Sequence, residues 1–309
     1  MQNPLSIGVD IGGTHITCAA LDIQHGRLLE ETRARATYSH EASAETILQS
    51  WAQALNETLS LVDTTQLAGI GFAIPGPFDY RNGVSQMEHK FKNLFGLHIP
   101  TALNPLLQMP KDLTMRFLND ASSFAVGEAW VGEGQGFQKV VAITLGTGFG
   151  SAFADHGVPV VSGASVPKEG CLWHLPFKDG IADDYISTRW FIQEYQKLTG
   201  ETVPGVKELI ERTDSDAIAR DLFVQFGQNL AECLAVPLQN FEAEVLVIGG
   251  NIAHALPLFG DAFRTGLKNA GVSIKIVVSK HMESAALIGS ARLLDDSFWE
   301  KVSAQFPHI

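Results

Sequence analysis

Asp10-Ile11-Gly12-Gly13-Thr14 closes the first apolar run of the chain, Leu5 to Ile11, and gathers a carboxylate, two residues without a Cβ and a hydroxyl into one turn. Such a turn lets backbone N–H groups approach phosphate oxygens closely, while Asp10 can hold Mg²⁺ through water and Thr14 can donate to a phosphate. Alone, it reads sooner as a tight hairpin with a capping Asp. The residues after it predict a second strand from Ile16 to Asp22, a His25-Gly26 turn and a third strand near Leu28 to Thr32, an antiparallel meander. The order then recurs. Val140 to Leu145 predicts a strand, Gly146-Thr147-Gly148-Phe149-Gly150 a turn, Ser151 to Ala154 a strand and His156-Gly157 another turn. Two glycine turns at equivalent places favour two related α/β domains with one nucleotide bridging the cleft between them.

Between these landmarks a helix is expected from Ser43, because Ile47, Leu48, Trp51, Leu55 and Leu59 fall on one face behind a Ser N-cap. Leu67 to Ala73 predicts a buried strand ending at Pro75-Gly76-Pro77. Further on, Ile218, Leu222, Phe223, Phe226, Leu230 and Leu234 mark the apolar face of a helix. A buried strand at Val245 to Ile248, one at Ile274 to Val278 and a closing helix from Glu283 through Leu294 complete the second half. Gly249-Gly250, followed by Asn251, opens a strand end without side-chain bulk, a surface on which an adenine ring can lie; an ordinary strand-to-helix turn reads the same way.

Composition narrows the function. The chain has 309 residues, 45% of them apolar, and carries a formal net charge of −12. It can fill two ordinary cores, and its surface should repel nucleic acid and anionic lipid. Positive potential for a nucleotide must then come from backbone N–H groups, helix N-termini and Mg²⁺. No apolar run reaches the ~20 residues of a membrane span, and Met1 to Pro4 lead into Ile7-Gly8-Val9 without a leader pattern, so a cytoplasmic location is expected. Cys18, Cys171 and Cys233 are far apart and odd in number, and are expected to be buried small hydrophobes.

Asn119-Asp120 follows the apolar segment Met115 to Leu118 and precedes a helical stretch, Ala121 to Trp130. Asp120 reads as an N-cap, and also as a base for the proton of an attacking sugar hydroxyl; Asn119 can hydrogen-bond a neighbouring hydroxyl.

In their order along nearly the whole chain, these segments resemble the ROK family of sugar kinases, within the actin and hexokinase ATPase superfamily of ribonuclease H-like domains. Asp10, Gly12, Gly13 and Thr14 resemble its first phosphate loop, Pro75 and Gly76 its Pro-Gly segment near the sugar, and Asn93 its Asn-Leu sugar contact. Asn119-Asp120, with Glu128 downstream, resemble the catalytic pair; Gly146, Thr147 and Gly148 the second phosphate loop; and Gly249-Gly250 the adenosine segment. The resemblance implies ATP and Mg²⁺, a hexose acceptor with glucose leading, transfer of the γ-phosphate to O6 and Asp120 as general base. It implies domains over 1–120 with 290–309 and over 121–289, closing on sugar to exclude water. An N-acetylhexosamine acceptor and a homodimer are left open.

The stretch that carries Glu-x-Gly-His and a zinc loop in most of the family differs here. It reads Gly170-Cys171-Leu172-Trp173-His174, so His174 aligns, Cys171 replaces the Glu, and the zinc cysteines are absent. One His with a solitary Cys cannot make a structural zinc site, so none is expected. His174 reads as a sugar partner or as a His packed beside Trp173, Glu169 as a substitute for the lost Glu, and Asp183 as the residue at the family's second sugar-binding Glu. Two other readings compete. A sugar-responsive repressor would need a DNA-binding domain, for which the loop starting at Asp10 leaves no room; a non-transferring sugar-binding protein would have no need of the base at Asp120.

Overall fold

Ser6, Ile7, Gly8 and Val9 are all buried, as a strand covered on both faces requires, and they form β1 (Leu5–Ile11) in the computed structural model, which describes residues 4–306. The chain returns antiparallel as β2 (His15–Asp22) and β3 (Arg27–Thr37), then crosses through α1 (Ala44–Ser60) to β4 (Leu67–Ile74), which lies parallel to β1. Ser43 caps α1 by accepting from the Thr46 N–H, as its position before the apolar face predicts. The third strand is five residues longer at its C-terminal end than its apolar core suggests. Arg33 and Arg35 extend a polar edge strand whose inward positions are Ala34 and Ala36.

β5 (Met115–Asn119) adds beside β4, giving the strand order β3-β2-β1-β4-β5, and leads directly into α2 (Asp120–Val131). The first unit is closed by α6 (Glu283–Arg292) and α7 (Asp296–Ser303). In the second unit β6 (Lys139–Leu145) and β7 (Phe149–Asp155) form the hairpin expected from the second glycine turn. α3 (Thr188–Thr199), α4 (Ala217–Phe241), β8 (Val245–Gly249), α5 (Leu256–Asn269) and β9 (Lys275–Val278) follow. The order β7-β6-β8-β9 repeats β2-β1-β4-β5, with the same antiparallel first pair and parallel remainder.

The residues group into two compact units, Met1–Gln135 with Gly157–Pro159 and His281–Ile309, and Gly136–His156 with Val160–Lys280. The limits expected at 120/121 and 289/290 fall at the start of α2 and inside α6. Both helices join the first unit because they pack on each other and α6 packs on β1 and β4. On α4 the face from Leu222 to Leu234 is buried as expected, but Ile218, one residue inside the helix start, is 37% exposed. Cys18 and Cys233 are buried; Cys171, expected to be so, is partly exposed on an irregular loop. No helix among the described residues is long and apolar enough to cross a membrane.

Candidate functional site

Three parallel strands of the first unit, β1, β4 and β5, end at one edge of their sheet. Asp10 lies opposite Ala73, and Ile74 opposite Asn119. The topology thereby brings the Asp10 to Thr14 turn, the Pro75-Gly76 segment and Asn119-Asp120 to a common edge, where ligands of parallel sheets bind. In the turn, the Gly12 N–H donates to the His15 carbonyl at 2.9 Å, which leaves the next two N–H groups, of Gly13 and Thr14, without acceptors among the described residues. Tyr38 fixes this shape, its hydroxyl lying 2.7 Å from the Gly12 carbonyl and 3.0 Å from that of His15. Nothing in the motif spacing points to this tyrosine. Its partners are backbone atoms 23 and 26 residues away, reached because β3 is longer than predicted.

The helix cap is Asn119, not Asp120. Asn119 Oδ1 accepts from the Ser122 N–H at 3.2 Å, and Asp120 occupies the first helical position with its Oδ1 accepting from the Ala121 N–H at 2.8 Å. The shift by one residue frees Asp120 from the capping task and sets its carboxylate at the positive end of α2. Burial nevertheless dominates and raises the Asp120 pKa above the ordinary carboxylate value. The Ala121 N–H, the Lys90 charge, its own N–H and Asn119 oppose that rise. Asn119 also reaches the Tyr80 hydroxyl at 3.5 Å, and that hydroxyl lies 3.4 Å from the Ile74 carbonyl, so a buried tyrosine spans the two strand ends. Asn93 is differently engaged from its expected role as a sugar contact: its amide NH₂ donates to the carbonyls of Glu41 and Ala42 at 3.0 and 2.8 Å.

Asp10 is pushed up to about 7, first by burial, then by the Asp120 and Glu283 charges, with Arg35 opposing. A carboxyl whose pKa is raised on folding contributes most stability below its unfolded value near 4, and that contribution is lost as pH rises through about 7. Thermal melting of the ligand-free protein between pH 5 and 8 should therefore fall more steeply for the natural chain than for Asp10→Asn. Parallel curves would remove Asp10 from this account.

In the second unit the Gly146 N–H donates to the Gly148 carbonyl at 3.2 Å, again leaving two successive N–H groups, those of Thr147 and Gly148, without acceptors among the described residues. A Cβ added at Gly13 or Gly146 would meet nothing within 4 Å, so each loop presents open backbone of the kind a phosphate approaches. Gly250, at φ +81°, lies so close to the loop's first residue that a Cβ would stand 2.4 Å from the Leu145 carbonyl oxygen. The expected adenosine segment and the second phosphate loop are thus adjacent, as the pairing of Gly249 with Thr144 requires. Within its own unit each open N–H pair has the donors a phosphate needs, and the Asp10 carboxyl is of a type that suits Mg²⁺.

The altered stretch is less regular. Glu169 adopts a left-handed backbone (φ 60°) and its carboxylate lies 3.5 Å from Lys168 Nζ. His174 meets the Trp173 ring edge-on, with ring centroids 5.3 Å apart, and makes no hydrogen bond among the described residues. Asp183, expected beside the sugar, instead accepts from the Phe149 N–H at 2.6 Å and pairs with Arg189.

Comparison with known proteins agrees with this layout. The model of the family described as "ROK family" matches residues 6–297. The N-acetyl-D-glucosamine kinase of Photobacterium profundum is 27% identical, over 93% of this chain and 98% of its own length. The glucokinase of Thermotoga maritima is 23% identical, over 94% and 97%. A ROK family glucokinase from Streptomyces griseus, solved with glucose and AMPPNP, superposes with a TM-score of 0.72 at 23% identity, covering 94% of this chain and 98% of that one. With two sheets of repeated strand order, paired glycine turns in their expected places and a family match spanning nearly its whole length, the chain belongs to the ROK family.

Proposed function

We propose that this protein is an ATP-dependent hexose kinase that transfers the γ-phosphate to a primary sugar hydroxyl, O6 of glucose or of N-acetylglucosamine. The observation that carries the reading is Asp120: a carboxylate relieved of capping by Asn119, raised in pKa by burial, at the same sheet edge as the first phosphate loop. A carboxylate with a raised pKa takes a proton more effectively than an ordinary surface carboxylate. The names of the relatives support the substrate class, since both a glucokinase and an N-acetyl-D-glucosamine kinase match over more than nine-tenths of the chain.

Asp120 accepts the hydroxyl proton as the sugar oxygen forms its bond to the γ-phosphorus and the bond to the bridging β-γ oxygen breaks, releasing ADP. Asn119, Pro75, Gly76 and Asn93 of the first unit contact the acceptor, with Asn93 offering its carbonyl oxygen because its amide hydrogens are already used; Glu169 and His174 are the second unit's sugar candidates. In the first unit the N–H groups of Gly13 and Thr14 are the phosphate donors; in the second those of Thr147 and Gly148 serve, with Gly146 leaving the backbone open, and Gly249-Gly250 meet the adenosine. Asp10 would hold Mg²⁺, and the ion would supply positive charge to offset that of the phosphates. The replacement of the family's Glu by Cys171 alters which hydroxyl patterns are accepted rather than the transfer itself.

ADP release measured against a panel of hexoses and N-acetylhexosamines tests this reading. Turnover is expected to require a sugar, with a hexose 6-phosphate detected by mass spectrometry. ATP hydrolysis indifferent to every sugar, or nucleotide binding without turnover, would overturn it.

A further inference from the structure

The second phosphate loop is braced by a group that the resemblance assigns to the sugar. Asp183 Oδ1 lies 2.6 Å from the Phe149 backbone nitrogen and would be 3.2 Å from a Cβ at Gly148, so the carboxylate sits against the back of the Gly146–Gly150 turn. Its second oxygen pairs with Arg189, in the first turn of α3. The neighbouring Thr188 grips the same loop, its N–H and its hydroxyl donating to the Gly146 carbonyl at 2.8 and 2.9 Å. The Asp183 N–H in turn donates to the Trp173 carbonyl at 3.0 Å. One short segment thus holds the turn at both ends.

A carboxylate in that place has a cost for a triphosphate-binding loop, because a fixed negative charge opposes the incoming anion at close range in a poorly screened setting. Arg189 answers that charge. Its side chain is 52% exposed while that of Asp183 is 17% exposed, so the guanidinium has open donors beyond those spent on the aspartate. The planar guanidinium can serve carboxylate and phosphate at once, since its five N–H groups point in two directions.

Resting on the reading that this loop binds ATP, we propose that the Asp183–Arg189 pair is a nucleotide-positioning device. Asp183 fixes the Phe149 N–H so that those of Thr147 and Gly148 stay turned outward, and Arg189 contributes its positive charge to the phosphates. Asp183 is then a positioning residue of the nucleotide loop and not a sugar ligand. An aspartate suits that task, because its shorter reach than glutamate keeps the carboxylate on the turn.

The test is calorimetric titration of Mg²⁺-AMPPNP, without sugar, into the natural chain and into Arg189→Gln, Arg189→Lys and Asp183→Asn, paired with the sugar KM of each. Arg189→Gln should weaken nucleotide binding about tenfold, the usual worth of a charge-assisted bond, and Arg189→Lys should recover part of that loss. Asp183→Asn should also weaken nucleotide binding, with sugar KM within about twofold of the natural value for all three. A raised sugar KM in Asp183→Asn with nucleotide affinity unchanged would return Asp183 to the sugar, and unaltered nucleotide binding in both Arg189 variants would equally overturn the proposal. Arg189-dependent nucleotide binding in a protein that phosphorylates no hexose would sink the acceptor assignment and leave this inference standing.

Discussion

Asp120→Asn is expected to lower kcat by a factor on the order of 10²–10⁴, the usual contribution of a positioned base, with little change in sugar KM. The substitution is close to isosteric. The amide oxygen can keep the 2.8 Å bond from the Ala121 N–H, and the helix cap is untouched because it belongs to Asn119. The folded protein should not suffer. Removing the Asp120 charge also removes one of the causes that raise the pKa of Asp10, so the variant should melt no lower than the natural chain at pH 8. That pairing of readouts separates chemistry from folding. Near-normal turnover would take the base role away from Asp120, and a lowered melting temperature would show that the loss of kcat had a structural origin.

The order of elements was legible because the signals were local. A glycine pair at the end of a buried apolar run predicts a turn, and its recurrence at Gly146 predicted the repeated hairpin that the structure contains. The capping residue is not decided by sequence, because Asn119 and Asp120 are both good N-caps by type. Only the backbone angles, extended at Asn119 (ψ 145°), decide between them. The contacts that motif spacing does not reveal share one property: the partners are distant in sequence. Tyr38 reaches Gly12, Tyr80 reaches Asn119, and Asp183 reaches Phe149 from 34 residues away. Spacing within a motif says nothing about such contacts. For Asp183 the resemblance points to the sugar while its contacts are with the Phe149 N–H and Arg189, because alignment carries a residue's place without its orientation.

Similar physics explains why the domain limits moved. The limit expected at 120/121 came from the resemblance, but α2 is buried from Ala121 through Glu128 and rich in small residues, Ala121, Ser122, Ser123, Ala125 and Gly127. A helix with that composition has little side-chain bulk to fill space, and is buried by bringing backbones together. Its partner is α6, whose Ala285, Ala286, Gly289, Ser290 and Ala291 are equally small and buried. The two therefore pack as a pair, and the helix that Asp120 opens belongs to the first unit.

Gly289→Ala is accordingly expected to destabilise the protein by about 3 kcal/mol or more, which shows as a large fall in melting temperature or as insoluble protein. A Cβ at Gly289 would stand 1.8 Å from the Ser123 carbonyl oxygen of α2, and one at Gly127 would stand 2.0 Å from that of Ala285. The sheet side is as close: a Cβ on Gly8 would be 2.0 Å from the Leu287 carbonyl oxygen and one on Gly71 1.8 Å from that of Ser290. Backbone on all sides means that no side chain can rotate away, so the helix itself must shift. Two effects oppose each other, since alanine favours a helix interior over glycine by about 1 kcal/mol. The clash decides, because accommodating the methyl moves α6 against packed neighbours on both faces. Any surviving folded protein should also lose turnover, since the displaced Ser123 carbonyl lies one turn from Asp120. Gly13→Ala supplies the contrast: its Cβ meets nothing within 4 Å, so melting should stay near that of the natural chain while nucleotide binding weakens. Equal melting temperatures for the two variants would mean that the α2–α6 contact is looser than these distances require.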